Sequence, residues 1–145
     1  MKLSEIESMW LEDCQMDDTQ LDVESLKIPN LHAKYFTLYN QQLLTLKKLY
    51  SDINVLKKKK WEYYTGKCDE ETLEQEGWEP FQFKILKQDI DIYLDGDEQL
   101  NQLKDKLSYQ KTKVDFIENI IKTLNGRGYL IKNAVDFLRF SHGQM

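Results

Sequence analysis

Two long runs of mainly apolar residues, spaced alternately by three and four positions, constrain the fold of this chain most. The first run lies between Pro29 and Gly66 and consists of Tyr35, Tyr39, Gln42, Leu46, Leu49, Ile53 and Leu56. This spacing places the side chains on one face of an α-helix, as in a coiled coil. A second stripe widens that face and consists of Phe36, Leu43 and Tyr50. We therefore predict a long helix over residues 28–65, with Pro29 in its first turn and Gly66 at its end.

The second run has the same spacing and a cleaner pattern. It consists of Leu100, Leu103, Leu107, Gln110, Val114, Ile117, Ile121 and Leu124. The run predicts a second long helix over residues 97–125, with Asp95 or Asp97 as its N-cap and the glycines after Leu124 as its end. If the two helices pack antiparallel, Gln42 lies opposite Gln110, and this polar pair would penalise slipped registers.

Composition agrees with a helical protein. Charged residues make up 31% of the 145 residues, and Pro29 and Pro80 are the only prolines. This balance suits long solvent-exposed helices better than a sheet sandwich. We predict an all-α chain that forms a single domain over residues 1–145, with two long antiparallel helices and short N-terminal and C-terminal helices.

The last predicted helix, over residues 129–140, is apolar around most of its circumference. A helix of this kind needs more than one neighbour. We predict that it forms a subunit interface through Tyr129, Leu130, Ile131, Ala134, Phe137 and Leu138. The alternative is a central core helix that is wrapped within one chain.

Two acidic segments flank the first long helix. Residues 1–26 contain eight acidic residues against one lysine, and Ser4 with Glu7 resembles a capping box for a short, partly mobile helix. This arm is either a solubilising extension or a contact surface for a basic partner. Residues 66–96 are predicted to be an exposed acidic connector, because residues 68–80 contain six acidic residues and no basic one.

The sign of the charge reverses at the end of the first helix. The whole chain has a net charge of -5, yet residues 45–67 contain seven lysines against two carboxylates. Lysines can neutralise phosphates, and aromatic rings can stack on unpaired bases. The candidate residues for such binding are Lys57, Lys58, Lys59, Lys60, Trp61, Tyr64 and Lys67. The alternative is an ordinary helix end with solvated lysines and rings in the core.

Signatures of other functions are missing from the sequence. It contains no phosphate-binding glycine loop, no nucleophile elbow and no histidine pair with metal-ligand spacing. The acidic stretch around Gly96 fails as a calcium loop because Tyr93 and Gln102 stand where oxygen ligands are required. Cys14 and Cys68 suggest no disulfide framework, and no signal sequence or membrane span is found. We expect a protein of the reducing cytoplasm that is not an enzyme and uses no metal or cofactor.

Two motifs resemble the UvsY family of recombination mediators from T4-like phages. Residues 58–67, Lys-Lys-Lys-Trp-Glu-Tyr-Tyr-Thr-Gly-Lys, are similar to the family's Lys-x-Arg-x-x-Tyr-Tyr-Ser-Gly-Arg segment. Residues 125–132 are similar to its Ser-Arg-Gly-Phe-Ala-Ile-Lys stretch. Chain length and helical layout also correspond, so the resemblance covers nearly the whole chain.

The resemblance implies a non-catalytic protein of the host cytoplasm that binds single-stranded DNA and forms a ring-like homo-oligomer, a hexamer or heptamer. It also implies partners, namely a RecA-like recombinase of the UvsX type and the phage single-strand-binding protein. The mediator would load the recombinase onto DNA that the binding protein covers, in recombination, replication and repair. Lys58 and Lys60 match the family's DNA-binding basic pair, although Lys60 replaces an arginine and loses its planar fork. The alternative function is a structural helical assembly protein that does not bind DNA.

Overall fold

The computed structural model describes residues 1–144, which contain five α-helices, one 3-10 turn and no β-strand. The helices are α1 (Leu3–Asp13), α2 (Leu21–Tyr64), α3 (Glu70–Glu76), α4 (Ile90–Asp95) and α5 (Glu98–Ser141), with the 3-10 turn at Lys87–Asp89. The all-α prediction is therefore confirmed. No helix within residues 1–144 is long and apolar enough to cross a membrane.

Helix α2 begins seven residues before the predicted start at residue 28, so that Pro29 lies inside the helix and not in its first turn. A hydrogen-bonded turn precedes it, in which the Asp17 carboxylate accepts from the backbone N–H and the hydroxyl of Thr19. The predicted end is confirmed. Gly66 adopts a φ of 75°, which an L side chain rarely tolerates, and the backbone N–H of Lys67 returns to the carbonyl of Glu62 at 2.8 Å.

Helix α5 begins where Asp97 was predicted to cap it, because the backbone N–H of Leu100 donates to Asp97 Oδ1 at 2.9 Å. The predicted end is wrong. The helix runs on through Gly126 and Gly128 to Ser141, so the separate C-terminal helix over residues 129–140 does not exist. Each glycine costs the helix about 1 kcal/mol, but the face formed by Leu124, Arg127 and Ile131 is buried and outweighs that cost.

The chain forms two compact units. Unit 1 comprises Met1–Leu44 and the chain from Lys111 onward, and unit 2 comprises Thr45–Gln110. Helices α2 and α5 each contribute a segment to both units. In unit 1 the early part of α2 packs with the late part of α5, and in unit 2 the late part of α2 packs with the start of α5. Within each unit, the segments of α2 and α5 that pack together are those that two antiparallel helices would bring together.

Unit 1 has its core between α1, α2 and α5. Its buried side chains are Ile6, Tyr35, Leu38, Ile117, Ile120 and Leu124. The predicted acidic arm is therefore not a mobile extension, because α1 contributes Ile6, Met9 and Trp10 to this core. Arg127 fastens the end of α1 by donating from Nη2 to the carbonyls of Asp13 and Cys14. The predicted capping box at Ser4 is also wrong, since Glu5 accepts from the backbone N–H of Lys2.

The buried faces of α2 and α5 follow the predicted seams. All eight seam residues of α5, and all seven of α2, are buried or half-buried. The second stripe on α2 is only partly buried, because Phe36 and Tyr50 remain about half exposed. Gln42 is half-buried and Gln110 is buried, and their predicted pairing stays a prediction.

Candidate nucleic-acid interface

The basic-aromatic segment occupies the last two turns of α2 and the turn that follows, all within unit 2. Lys57 and Lys58 lie on its open side, and the Lys58 side chain is 79% exposed. Lys58 Nζ stands 3.9 Å from the Glu62 carboxylate, a distance at which a surface ion pair contributes little. Both ammonium groups are therefore available to an anionic ligand.

The next two lysines of the run face the protein. Lys59 donates to the carboxylate of Glu76 at 2.9 Å and so links α2 to α3. Lys60 is buried, with its side chain 8% exposed, and its Nζ lies 3.1 Å from Asp97 Oδ2. The same ammonium group lies 4.1 Å from the centroid of the Trp78 ring. The run that reads as one basic patch in the sequence is thus divided by the fold into two exposed and two engaged lysines.

Asp97 connects this segment to the start of α5. Its Oδ2 atom accepts from the hydroxyl of Tyr64 at 2.6 Å and from Lys60, while its Oδ1 atom caps the helix. Burial opposes the charge of the carboxylate, but the hydrogen bonds from Tyr64, the Leu100 backbone and Lys60 outweigh it, so the pKa of Asp97 falls below its ordinary value. Burial and the bond to Asp97 raise the pKa of Tyr64. Asp97 thus binds both Lys60 and Tyr64. We call the ion pair of Lys60 with Asp97 the Lys60–Asp97 pair.

An aromatic cluster surrounds this pair. It consists of Tyr63, Tyr64, Trp78, Phe81, Phe83 and Tyr93, whose neighbouring ring centroids lie 5.1 to 5.7 Å apart. The Tyr63 hydroxyl donates to the carbonyl of Glu79 at 2.6 Å, and Trp78 Nε1 donates to Gln99 at 2.9 Å. These contacts hold the connector against the end of α2 and the start of α5. Tyr64, predicted to meet a nucleic acid, is half-buried at the base of the cluster.

A groove of about 840 Å³ opens beside the cluster. One wall is lined by Trp61 and by residues 64–67, and the other by residues 81–85 with Lys87 and Ile90. The Trp61 side of this groove is partly open, with 39% of the residue exposed, and Lys67 Nζ lies 4.7 Å from its ring centroid. On the opposite wall Phe83 is 72% exposed. We call this feature the basic-aromatic groove, because three lysines and no carboxylate line it.

The second wall of the groove was not predicted from the sequence, in which residues 66–96 were expected to form an exposed acidic connector. The sequence nevertheless contains a signal of this wall. The six acidic residues of positions 68–80 end at Glu79, and the seven residues from Phe81 to Lys87 carry two lysines and no carboxylate, with apolar and polar side chains alternating from Phe81 to Ile85. Period-two alternation is typical of an extended segment with two distinct faces. The connector is thus acidic from Asp69 to Glu79, basic and aromatic from Phe81 to Lys87, and acidic again at Asp89, Asp91 and Asp95.

The residues predicted for oligomerisation lie on the last turns of α5. Tyr129, Leu130, Phe137 and Leu138 are exposed, with Phe137 at 67%, while Ile131 is buried and Ala134 half-buried. A central core helix wrapped within one chain is therefore wrong. Single exposed apolar residues are common on protein surfaces, but four large ones in one terminal segment are typical of a contact surface.

Comparisons with known proteins agree on one family and one fold. Residues 9–144 match the family described as “Recombination, repair and ssDNA binding protein UvsY”. Crystal structures of the bacteriophage T4 recombination mediator protein UvsY have the same fold. Lattice type IV has a TM-score of 0.85 at 20% identity and covers 97% of this chain and 99% of that one. Lattice type II has a TM-score of 0.86 at 20% identity and covers 98% of each chain. No curated protein sequence gives a significant match.

Proposed function

The chain belongs to the UvsY family of recombination, repair and single-stranded-DNA-binding proteins, and from this premise we propose that it is a recombination mediator. It binds single-stranded DNA and loads a RecA-like recombinase of the UvsX type onto DNA covered by a phage single-strand-binding protein. It acts in the host cytoplasm as a ring-like homo-oligomer.

The observation that carries the proposal is the exposed basic and aromatic face at the end of α2. Within residues 1–144, Lys57 and Lys58 are exposed without a close ion pair, and Lys67 lies over the partly exposed Trp61 ring. Cations beside an aromatic surface suit a phosphate backbone with unpaired bases. Their readout is tolerant of sequence, because phosphate charge and stacking discriminate little between bases. A mediator that must act on any single strand needs this tolerance.

In this proposal the lysines of the motif have different tasks. Lys57, Lys58 and Lys67 contact phosphates, and Trp61 stacks on a base. Lys60 and Tyr64 act indirectly, because their bonds to Asp97 fix the end of α2 against α5. Lys59 has a similar positioning role through its bond to Glu76.

Self-assembly explains how a small site could hold a strand firmly. One site with three phosphate contacts binds weakly, but copies repeated around an oligomer act as a multivalent track. The exposed apolar segment of α5, with Tyr129, Leu130, Phe137 and Leu138, supports such assembly through contact with a second copy of the chain. We propose a hexamer or heptamer.

Binding of a labelled oligo-dT strand tests the function. The variant Lys57→Ala/Lys58→Ala should bind more weakly and show a salt slope shallower by about 1.4 per subunit, since each phosphate contact contributes roughly 0.7. The matched control is Lys104→Ala/Lys106→Ala, which removes two exposed lysines from α5 of the same unit. Equal affinities of both variants and the native protein would remove the segment from the DNA site.

Recombinase loading needs a separate measurement. On DNA pre-coated with single-strand-binding protein, the native chain should shorten the lag of the DNA-dependent ATPase of the recombinase, and the Lys57/Lys58 variant should not. A native chain that oligomerises yet neither binds oligo-dT nor shortens this lag would favour the structural assembly protein instead.

A further inference from the structure

We propose that the second wall of the basic-aromatic groove, formed by Phe83, Lys84 and Lys87, binds the same DNA strand as the α2 motif. In this arrangement an unpaired base enters the groove and stacks on Phe83, while Lys84 and Lys87 contact the phosphates beside it. The proposal rests on the proposed function and deepens it, since it moves half of the site to a segment outside the α2 motif.

The charge of the second wall supports an anionic ligand. Lys84 and Lys87 are exposed, and neither forms an ion pair in the part of the chain that the structure describes, residues 1–144. With Lys67 on the opposite wall they place three positive charges around one groove that carries no carboxylate. The protein as a whole has a net charge of -5, so this concentration of positive charge singles the groove out.

The exposed ring of Phe83 favours a base as the part of the ligand that enters the groove. Phe83 is 72% exposed although its neighbour Phe81 is half-buried in the aromatic cluster, with the two ring centroids 5.7 Å apart. Phe81 therefore anchors the segment, and Phe83 presents an apolar face to the solvent. A lone apolar peptide would gain from the ring but not from the lysines, whereas a nucleotide uses both.

The groove also has the shape of a prepared site. Its volume of about 840 Å³ lies within the usual range for small-ligand sites. One wall is fixed by the Gly66 turn, where the backbone of Lys67 bonds to Glu62 at 2.8 Å, and the other by the packing of Phe81 on Tyr64 at 5.1 Å. These two anchoring contacts do not involve Phe83, Lys84 or Lys87, so the three side chains can be substituted while both anchors stay in place.

The experiment compares full-length Phe83→Ala and Phe83→Tyr with the native chain on two probes. The probes are oligo-dT and an abasic strand of equal length, which keeps the phosphates but lacks bases. Phe83→Ala should weaken oligo-dT binding roughly fivefold to hundredfold, the range of one stacking contact, and leave abasic binding unchanged. Phe83→Tyr should retain the preference of the native protein for oligo-dT over the abasic strand. Ile92→Ala, another exposed apolar residue of unit 2, serves as the control.

A second variant tests the cations. Lys84→Ala/Lys87→Ala should weaken the binding of both probes and make the salt slope shallower by about 1.4 per subunit. The control Lys104→Ala/Lys106→Ala should change neither. Circular dichroism and the mass of the oligomer confirm that each variant is folded and assembled.

The outcomes separate this inference from the function on which it rests. If Lys57→Ala/Lys58→Ala weakens binding while the Phe83 and Lys84/Lys87 variants bind like the native protein, the groove is not part of the site and the function stands. If Phe83→Ala changes the oligomeric mass and not the affinity, the groove holds another copy of the chain, and the inference is overturned. If the native protein does not bind oligo-dT, the proposed function itself fails.

Discussion

Lys60 should behave as a structural residue, unlike the exposed Lys57 and Lys58 earlier in the same run. Its ammonium group and the Asp97 carboxylate are 3.1 Å apart, with side chains 8% and 3% exposed. At an effective dielectric constant of about 20, two unit charges at this distance attract by about 5 kcal/mol, most of which offsets their desolvation. Removal of one partner leaves the other charge buried and unpaired.

We expect Lys60→Ala to lower the free energy of unfolding by about 3 to 5 kcal/mol, the usual cost of breaking a buried pair. Lys58→Ala, which removes a side chain that is 79% exposed, should change it by no more than about 0.5 kcal/mol. Urea unfolding followed by circular dichroism measures both values, at one protein concentration because the proposed assembly would also stabilise the fold.

A double variant tests the cause. Lys60→Met/Asp97→Asn removes both charges and keeps an N-cap oxygen for α5, while the Asn amide nitrogen takes the place of Oδ2 and can donate to the Tyr64 hydroxyl oxygen. It should recover most of the stability lost in Lys60→Ala, because no buried charge is left without a partner. The reasoning is refuted if Lys60→Ala unfolds like the native protein and loses DNA affinity to the same extent as Lys58→Ala.

Three further predictions concern acid stability, the helix at its glycines and assembly. Because the pKa of Asp97 is lowered in the folded state, its charge stabilises the fold above the unfolded pKa of about 3.8. The stability difference between the native chain and Asp97→Asn should hold at neutral pH and shrink as the pH falls below that value; a difference that grows in acid would contradict the assignment. Gly126→Ala/Gly128→Ala should raise the free energy of unfolding by roughly 1 to 2 kcal/mol, since both glycines are helical and an added Cβ meets nothing within 4 Å. If the free energy of unfolding measured in urea does not rise, the result would indicate that another copy of the chain contacts the helix at these glycines. Phe137→Glu should reduce the mass of the oligomer in light scattering, whereas Asn133→Glu on the same helix should not, and an unchanged mass for both would exclude this segment as the interface.

The seams of the two long helices could be predicted because burial of one helix face imposes a three-and-four spacing on any sequence. Tyr35, Ile53, Leu100 and Ile117 follow that spacing and are buried. The end of α2 was also predictable, since the left-handed backbone at Gly66 strongly favours glycine.

Local signals failed where distant contacts outweighed them. Gly126 and Gly128 predicted a helix end, but Arg127 between them is 2% exposed and bonds to the carbonyls of Asp13 and Cys14. These partners lie more than 100 positions away in the sequence. The buried contacts of this turn stabilise the helix more than the glycines weaken it.

The candidate site shows the same division. The sequence by itself determined that positive charge and aromatic rings gather at the end of α2, because composition and helical spacing are local properties. Only the tertiary structure decided that Lys60 turns inward to Asp97 while Lys58 stays outside, and that Phe83 and Lys84 form a second wall. Equal charges in one run differ in role because burial depends on which residues the fold brings beside them, and no spacing within the run encodes that.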